Sequence, residues 1–331
     1  MEFSKTVQKM PGAPARSDRD KTLSRPDKVK GVLAAVLALI VLVTGCVSIP
    51  AEDWVVSYRS PFELTKQAAG CETMGPAQPA WRQTGSFRKI MPPMAQEDGL
   101  NADGFSFATW NIHKGTAEGW SEDFQKLCGS TDILVLQEAL LTDNLIQMLR
   151  QENYQWDLSA AYAFQNVETG VLTASKILPS LACTLKDKEP ITRVPKSVLV
   201  TRYPMSGTDR TLLVANIHAI NFSLGHSAFQ KQCDRLESLL SGHKGPMIVS
   251  GDFNTWSNGR MSRVNAMAER LELEAVSFNK NLKSKFFGHY VDHIFYRGLE
   301  KKDAEISLVT TSDHNPLSVV FKLANESDPD I

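Results

Sequence analysis

The chain has 331 residues, 42% hydrophobic and 22% charged, with a formal net charge of −1. This is ordinary globular composition, which excludes extended disorder and a polytopic membrane protein. Residues 101–331 carry 23 Lys and Arg against 27 Asp and Glu, so that part lacks the broad positive field that non-specific nucleic-acid binding draws on.

Residues 1–30 form a basic leader with eight Lys and Arg against four Asp and Glu. The uncharged run that follows continues to Val47 and defines a segment, 31–47, of about 17 residues, the lower limit for crossing a bilayer. It reads as a signal peptide or a membrane anchor, with the N-terminus left in the cytoplasm and the remainder exported. Its end, Val43-Thr44-Gly45-Cys46, resembles the lipobox of bacterial lipoproteins. A membrane-anchored, periplasmic domain is therefore expected through 31–47, the alternative being a cytoplasmic one. Residues 48–100, rich in Pro, Gly and Ala, read as a spacer, and 101–325 as the main domain. Cys71, Cys128, Cys183 and Cys233 show no Cys-x-x-Cys spacing; in an exported domain they allow two disulfides in three pairings.

Within the main domain, strand-length apolar runs recur at 105–110, 132–136, 170–174, 197–203, 211–217, 247–250, 291–296 and 317–321. Helical spacing is clearest at 226–241, where Phe229, Cys233, Leu236 and Leu240 share a face, and further helices are expected at 142–150 and 261–271. Strands that sometimes alternate with helices and sometimes do not imply mixed sheets covered by helices.

Polar residues cluster at the ends of these strands, where loops can converge on one pocket. Asn111 follows the first run. Glu138 follows the second, and a carboxylate placed after a fully apolar strand needs a cation or a hydrogen-bonding partner. His218 and Asn221 follow the fifth run. Gly251-Asp252-Phe253-Asn254 follows the sixth, with Gly251 permitting a tight turn and Asp252 and Asn254 alternating onto one side. Asp292 sits inside the seventh, and Asp313-His314 precedes the last. Taken singly, the asparagines are turn formers and a histidine is a structural residue. His113, His226, His243, His289 and His293 keep that bland reading, as do Trp256 and Phe222, which are rim packing or stacking surfaces.

The joint order (Asn, Gln-Glu, Asn-x-His, Gly-Asp-Phe-Asn, a strand Asp, Ser-Asp-His) resembles the signature of the endonuclease/exonuclease/phosphatase superfamily over residues 105–321. That superfamily includes DNase I-like nucleases, abasic-site endonucleases, neutral sphingomyelinases and inositol polyphosphate 5-phosphatases. The stretches 189–201, 216–225 and 295–299 look like its YafD-like bacterial proteins. The resemblance implies an α/β four-layer sandwich, with two mixed β-sheets packed face to face and helices outside, as in DNase I. It implies a hydrolase of phosphodiester or phosphomonoester bonds that uses Mg²⁺ or Mn²⁺, with Glu138, Asn111 and Asp313 as metal ligands. Asp252 would activate the attacking water, Asn254 and Asn221 would hold the phosphate, Asp292 would orient His314, and His218 would donate to the phosphate or the leaving oxygen. The expected partner is a phosphoester substrate, either nucleic acid or a phospholipid headgroup; no protein partner is predicted. The competing readings are a catalytically inert membrane-tethered scaffold and an envelope protein whose N-terminal hundred residues carry the function.

Overall fold

The computed structural model describes residues 47–50, 53–59, 64–71, 99–223 and 225–325. The leader at 1–30, the apolar run up to Cys46 and residues 72–98 of the expected spacer lie outside the described residues. Among the described residues no helix is long and apolar enough to cross a membrane.

A first sheet takes β1 (Val47–Ser48), β2 (Trp54–Tyr58), β3 (Thr65–Ala68), β4 (Phe105–Asn111), β5 (Ile133–Leu140), β6 (Gln155–Phe164) and β7 (Val167–Ser175). The chain then enters a second sheet through β8 (Leu181–Lys188), β9 (Pro195–Pro204), β10 (Thr211–His218), β11 (Met247–Asp252) and β12 (Glu274–Ala275). A short ribbon of β13 (Lys285–Phe286) and β14 (His289–Tyr290) precedes β15 (Asp292–Arg297) of the second sheet, and β16 (Leu299–Ile306) and β17 (Leu317–Leu323) return to the first. Helices α1 (Trp120–Cys128) and α2 (Asp143–Gln151) belong to the first half, α3 (Ser227–Leu240) and α4 (Asn258–Arg270) to the second.

The order of the first sheet is β16-β17-β4-β5-β7-β6-β2-β3, with β1 on β6, and that of the second is β12-β15-β11-β10-β9-β8. Both are mixed: β4 and β5 run parallel, as do β10 and β11, and their other neighbours are antiparallel. A parallel pair needs a crossover, supplied by α1 between β4 and β5 and by α3 between β10 and β11.

Strand alternation builds the layers. Phe105, Phe107, Ile133 and Val135 face inward and meet Leu212, Val214, Ile248 and Ile294 of the other sheet. Their neighbours Ala108, Trp110, Leu134 and Leu136 face outward under Trp120 and Phe124 of α1 and Leu145 and Leu149 of α2. Ala215, Ile217, Met247 and Val249 do the same beneath Phe229 and Leu236 of α3 and Val264 and Met267 of α4. The result is the expected sandwich of helices, sheet, sheet and helices. A buried polar bridge pins the two sheets: Gln137 Nε2 donates to Asn216 Oδ1 at 2.8 Å, and Asn216 Nδ2 donates to the carbonyls of Leu136 and Leu172.

The eight expected strands correspond to β4, β5, β7, β9, β10, β11, β15 and β17; all but β15, which is shifted by one residue, are longer than their apolar runs. The expected helix at 142–150 starts at Asp143 because Thr142 caps it, accepting from the backbone of Leu145; Ser257 caps α4 in the same way through Arg260. The spacer reading of 48–100 needs correction. Its residues 54–58 and 65–68 are β2 and β3, β2 pairs with β6 from Val55 opposite Ser159, and Val55 is buried. Cys71, just beyond β3, is disulfide-bonded to Cys183 of β8, with the Cα atoms 5.2 Å apart. Cys128 and Cys233 are free and buried.

Candidate active site

Because β4 and β10 each run parallel to the strand that follows them, the carboxyl ends of β4, β5, β10 and β11 emerge on one rim; antiparallel pairing brings the starts of β15 and β17 to the same rim. Asn111 ends β4, His218 ends β10, Asp252 ends β11 directly opposite Asp292 at the start of β15, and His314 lies on the loop entering β17.

Two local features aim these groups. Glu138 sits at a register shift between β5 and β7, with a positive φ of 52°, so the bulge turns its carboxylate out of the strand's alternation. Gly251 has a φ of 138°, and a Cβ there would lie 2.1 Å from the Ile217 carbonyl. Any side chain would therefore split β10 from β11 beside His218 and Asp252.

At the centre stands Asp252, buried and held from three sides. Asn111 Nδ2 donates to its Oδ2 at 3.1 Å, the backbone N–H of Asn254 donates to its Oδ1 at 2.9 Å, and His218 Nε2 and His314 Nε2 stand 3.5 and 3.9 Å from its Oδ2. His314 presents its other nitrogen to Asp292, 2.8 and 2.9 Å from the two carboxylate oxygens, and its carbonyl accepts from Trp110 Nε1. Burial alone would lower the His314 pKa, but Asp292, with Asp252 and Asp313 further off, raises it to about 10, so this imidazole is charged at neutral pH. His218 is the opposite case. Burial first, and then the ammonium of Lys196 at 2.8 Å, push it down to about 4, and it stays neutral.

Glu138 accepts from Lys114 Nζ at 3.0 Å. Burial works against its ionisation, yet His218, Lys114 and Lys196 together hold its carboxyl at about 2. Asn254, in left-handed backbone with φ 50°, donates through Nδ2 to the Ala219 carbonyl. Its neighbourhood is tied by Arg260, a wholly buried guanidinium that donates to the carbonyls of Ile220, Asn254 and Asn221 and stacks against Trp256 and Phe229.

The structure therefore gathers Asn111, His218, Asp252, Asn254, Asp292 and His314 into one contact network, with Glu138 beside it. Asp313 and Asn221 stand apart. Asp313 is exposed and 4.0 Å from His113 Nδ1, and the Asn221 Oδ1 accepts from Trp256 Nε1. Asp252, Asp292 and His314 form an acid and histidine cluster dense enough to hold a cation. Their mutual hydrogen bonding, however, accounts for them as a dyad facing an acid. The all-oxygen set of Glu138 and Asn111 fits a hard divalent ion better. Lys114 and Lys196 were not singled out from the sequence. Lys114 directly follows Asn111-Ile112-His113, and Lys196 lies in the 189–201 stretch that carries part of the resemblance.

A model of the Endonuclease/Exonuclease/phosphatase family matches residues 108–314. A UPF0294 protein of Yersinia pseudotuberculosis is 38% identical over 213 residues, 64% of this chain and 82% of the relative. Among solved structures, an endonuclease/exonuclease/phosphatase from Beutenbergia cavernae superposes with a TM-score of 0.53 at 15% identity, covering 67% of this chain and 72% of the other. The human Nocturnin catalytic domain with bound sulfate anion gives 0.51 at 18% identity, over 68% and 96%. At such identities these two superpositions speak for the fold alone.

Proposed function

The chain belongs to the endonuclease/exonuclease/phosphatase family, and from that premise we propose that it hydrolyses a phosphodiester at the rim described above. The observation that carries the reading is the Asp292–His314–Asp252 line, in which a charged imidazole and a buried carboxylate face one another across 3.9 Å. Asp252 orients the attacking water and takes its proton as the new O–P bond forms. His314 gives its Nε2 proton to the leaving oxygen as the old bond breaks, and Asp292 holds the ring so that Nε2 faces the site. Asn254 holds a phosphoryl oxygen. Glu138 and Asn111, with Asp313 at the edge, are the residues that would hold Mg²⁺ or Mn²⁺; bound there, such an ion supplies Lewis-acid polarisation of the phosphoryl oxygens.

For the substrate, the ribbon of β13 and β14 favours a phospholipid headgroup over nucleic acid. It presents Phe286 and Phe287, the latter 78% exposed, beside exposed Leu282, and residues 275–291 contain Lys280, Lys283 and Lys285 but no acidic side chain. The ribbon is bolted to the site. The Asn315 backbone N–H, next to His314, donates to Ser284 Oγ, the Asn315 side chain donates to the Leu282 carbonyl, and Thr255 Oγ1 donates to the Tyr290 carbonyl. An aromatic tip flanked by lysines suits the interface of an anionic bilayer. Anchoring through residues 31–47 with export of the domain accords with this reading. So does the Cys71–Cys183 disulfide, a bond that persists in oxidising compartments.

The test is hydrolysis by the full-length chain with Mg²⁺ or Mn²⁺, because residues 54–71 belong to the fold. Substrates are plasmid DNA, short RNA, vesicles of sphingomyelin or phosphatidylinositol phosphates, and an aryl phosphodiester, with His314→Ala alongside. Metal-dependent cleavage of the lipids, lost in the variant, is expected. Cleavage of DNA or RNA alone would replace the lipid reading, and no cleavage of any of them would favour an inert scaffold.

A further inference from the structure

Lys196 is the second residue of β9, next to the buried Pro195, and lines the cleft together with Glu138, Tyr162 and His218. It is half-buried, and among the described residues no carboxylate forms an ion pair with it; its hydrogen-bond partner is His218 Nε2, 2.8 Å away. Lys114, the other lysine beside Glu138, is paired with that carboxylate. Glu138 is the nearby opposite charge, but it is already paired with Lys114, so a cation drawn part-way out of water with an imidazole as its hydrogen-bond partner is incompletely compensated, and an anion entering the cleft would complete it.

The donor inventory sharpens this. An ammonium has three N–H donors and no acceptor, so a Lys196–His218 hydrogen bond requires His218 Nε2 to be the unprotonated acceptor. The Nε2 that lies 3.5 Å from Asp252 Oδ2, on the side where the proposed reaction takes place, then has no proton to give. Two N–H groups of Lys196 remain.

Building on the phosphoesterase reading above, we propose that Lys196 is the phosphate-contacting cation of this site, donating to a non-bridging phosphoryl oxygen. On this assignment His218 is a positioning residue that holds the ammonium in place instead of donating to the substrate itself. The ligand class is a phosphoryl anion, and no atom is transferred through Lys196. Its contribution is hydrogen bonds and charge in a partly dry cleft, where both are stronger than in water.

The experiment uses the full-length chain and two independent arms. In the first, inorganic phosphate is titrated calorimetrically in the presence of a chelator, so that only side chains hold the anion. Lys196→Met is expected to weaken binding by about 10- to 100-fold, Lys196→Arg to restore most of it, and His218→Gln to cost less than Lys196→Met. Absence of phosphate binding by the unmutated chain, equal affinity in Lys196→Met, or a larger loss in His218→Gln would each overturn the assignment. Circular dichroism and the melting temperature identify a variant that has not folded, in which case Lys196→Gln takes its place under the same criteria. In the second arm, kcat/KM for an aryl phosphodiester is measured in the same variants with Mg²⁺. A chain that binds phosphate through Lys196 and hydrolyses nothing would sink the enzymatic reading while leaving the anion site standing. Turnover unchanged in Lys196→Met would sink the anion site and leave the enzyme.

Discussion

His314 and Asp292 meet through both carboxylate oxygens, at 2.8 and 2.9 Å from one imidazole nitrogen, and this contact turns the opposite nitrogen toward Asp252. Replacing Asp292 by Asn keeps the shape and removes the charge. Turnover is expected to fall by about 10²-fold or more, and the His314 titration, about 10 in the intact chain, should drop toward the ordinary histidine range. Proton-detected NMR of the imidazole and steady-state rates check the two halves. An unmoved titration would show that Asp292 is not what charges the ring.

Stability should decline on both sides of neutrality, for different histidines. The raised pKa of His314 contributes stability that is complete below about pH 6.5 and is lost as pH rises toward 10. His293 runs the other way. Burial, with Lys283 nearby, lowers it to about 3, so its contribution is complete above about pH 6.5 and drains away as pH falls toward 3. Urea midpoints measured from pH 4 to 10 should show both limbs, with Asp292→Asn flattening the alkaline one and His293→Gln the acid one. A variant whose profile parallels the parent's would disprove its part.

Gln137 and Asn216 exchange a buried hydrogen bond between the two sheets. Asn216→Leu leaves the Gln137 amide with only its 3.3 Å bond to Thr109 Oγ1 and takes a donor from the carbonyls of Leu136 and Leu172, and should cost about 1–3 kcal/mol for each buried group left unpaired. Denaturant unfolding of the single variants and of the Gln137→Leu/Asn216→Leu pair measures the coupling. Strictly additive losses would mean that the bridge carries no interaction energy of its own.

The Cys71–Cys183 disulfide closes a long loop, with 112 residues of sequence separation. Reducing it is expected to cost about 2–4 kcal/mol and to release β3 first, since that strand lies at the end of the first sheet. Hydrogen exchange with and without reductant localises the effect. Cys128 and Cys233 should resist alkylation in the folded chain, because burial drives both thiols up, that of Cys233 to about 12.

Phe286→Ser/Phe287→Ser removes the apolar tip of the ribbon without touching the Asp252, His314 and Asp292 network. Binding to anionic vesicles should weaken roughly tenfold or more while hydrolysis of a soluble aryl diester is retained. Vesicle flotation and a colorimetric assay separate the two, and unimpaired flotation would remove the ribbon from the lipid reading.

Most of the site was legible because its acids and histidines stand at the ends of apolar strands, and parallel pairing carries such ends to one rim. Asn111 and Asp252 touch across 141 residues, yet each announced itself locally as a polar residue terminating a buried run. The lysines did not. Lys114 and Lys196 look like any solvated lysine in a charged sequence, and only the folded register sets one on Glu138 and the other on His218. The strands that were missed have equally physical reasons. β16, Leu-Glu-Lys-Lys-Asp-Ala-Glu-Ile, is a charged edge strand with a bulge between Lys301 and Asp303, a pattern that protects an open edge and hides a strand from hydrophobic periodicity. β2 and β3 are short, and β2, on which β3 pairs, finds its own partner β6 far along the chain, so no local pattern shows that pairing.

β1 begins at Val47 opposite Phe164, two residues past Tyr162, which lines the cleft with Glu138 and Lys196. Tension applied at Val47 is therefore passed first to β6, the strand that supplies the Tyr162 wall of the cleft.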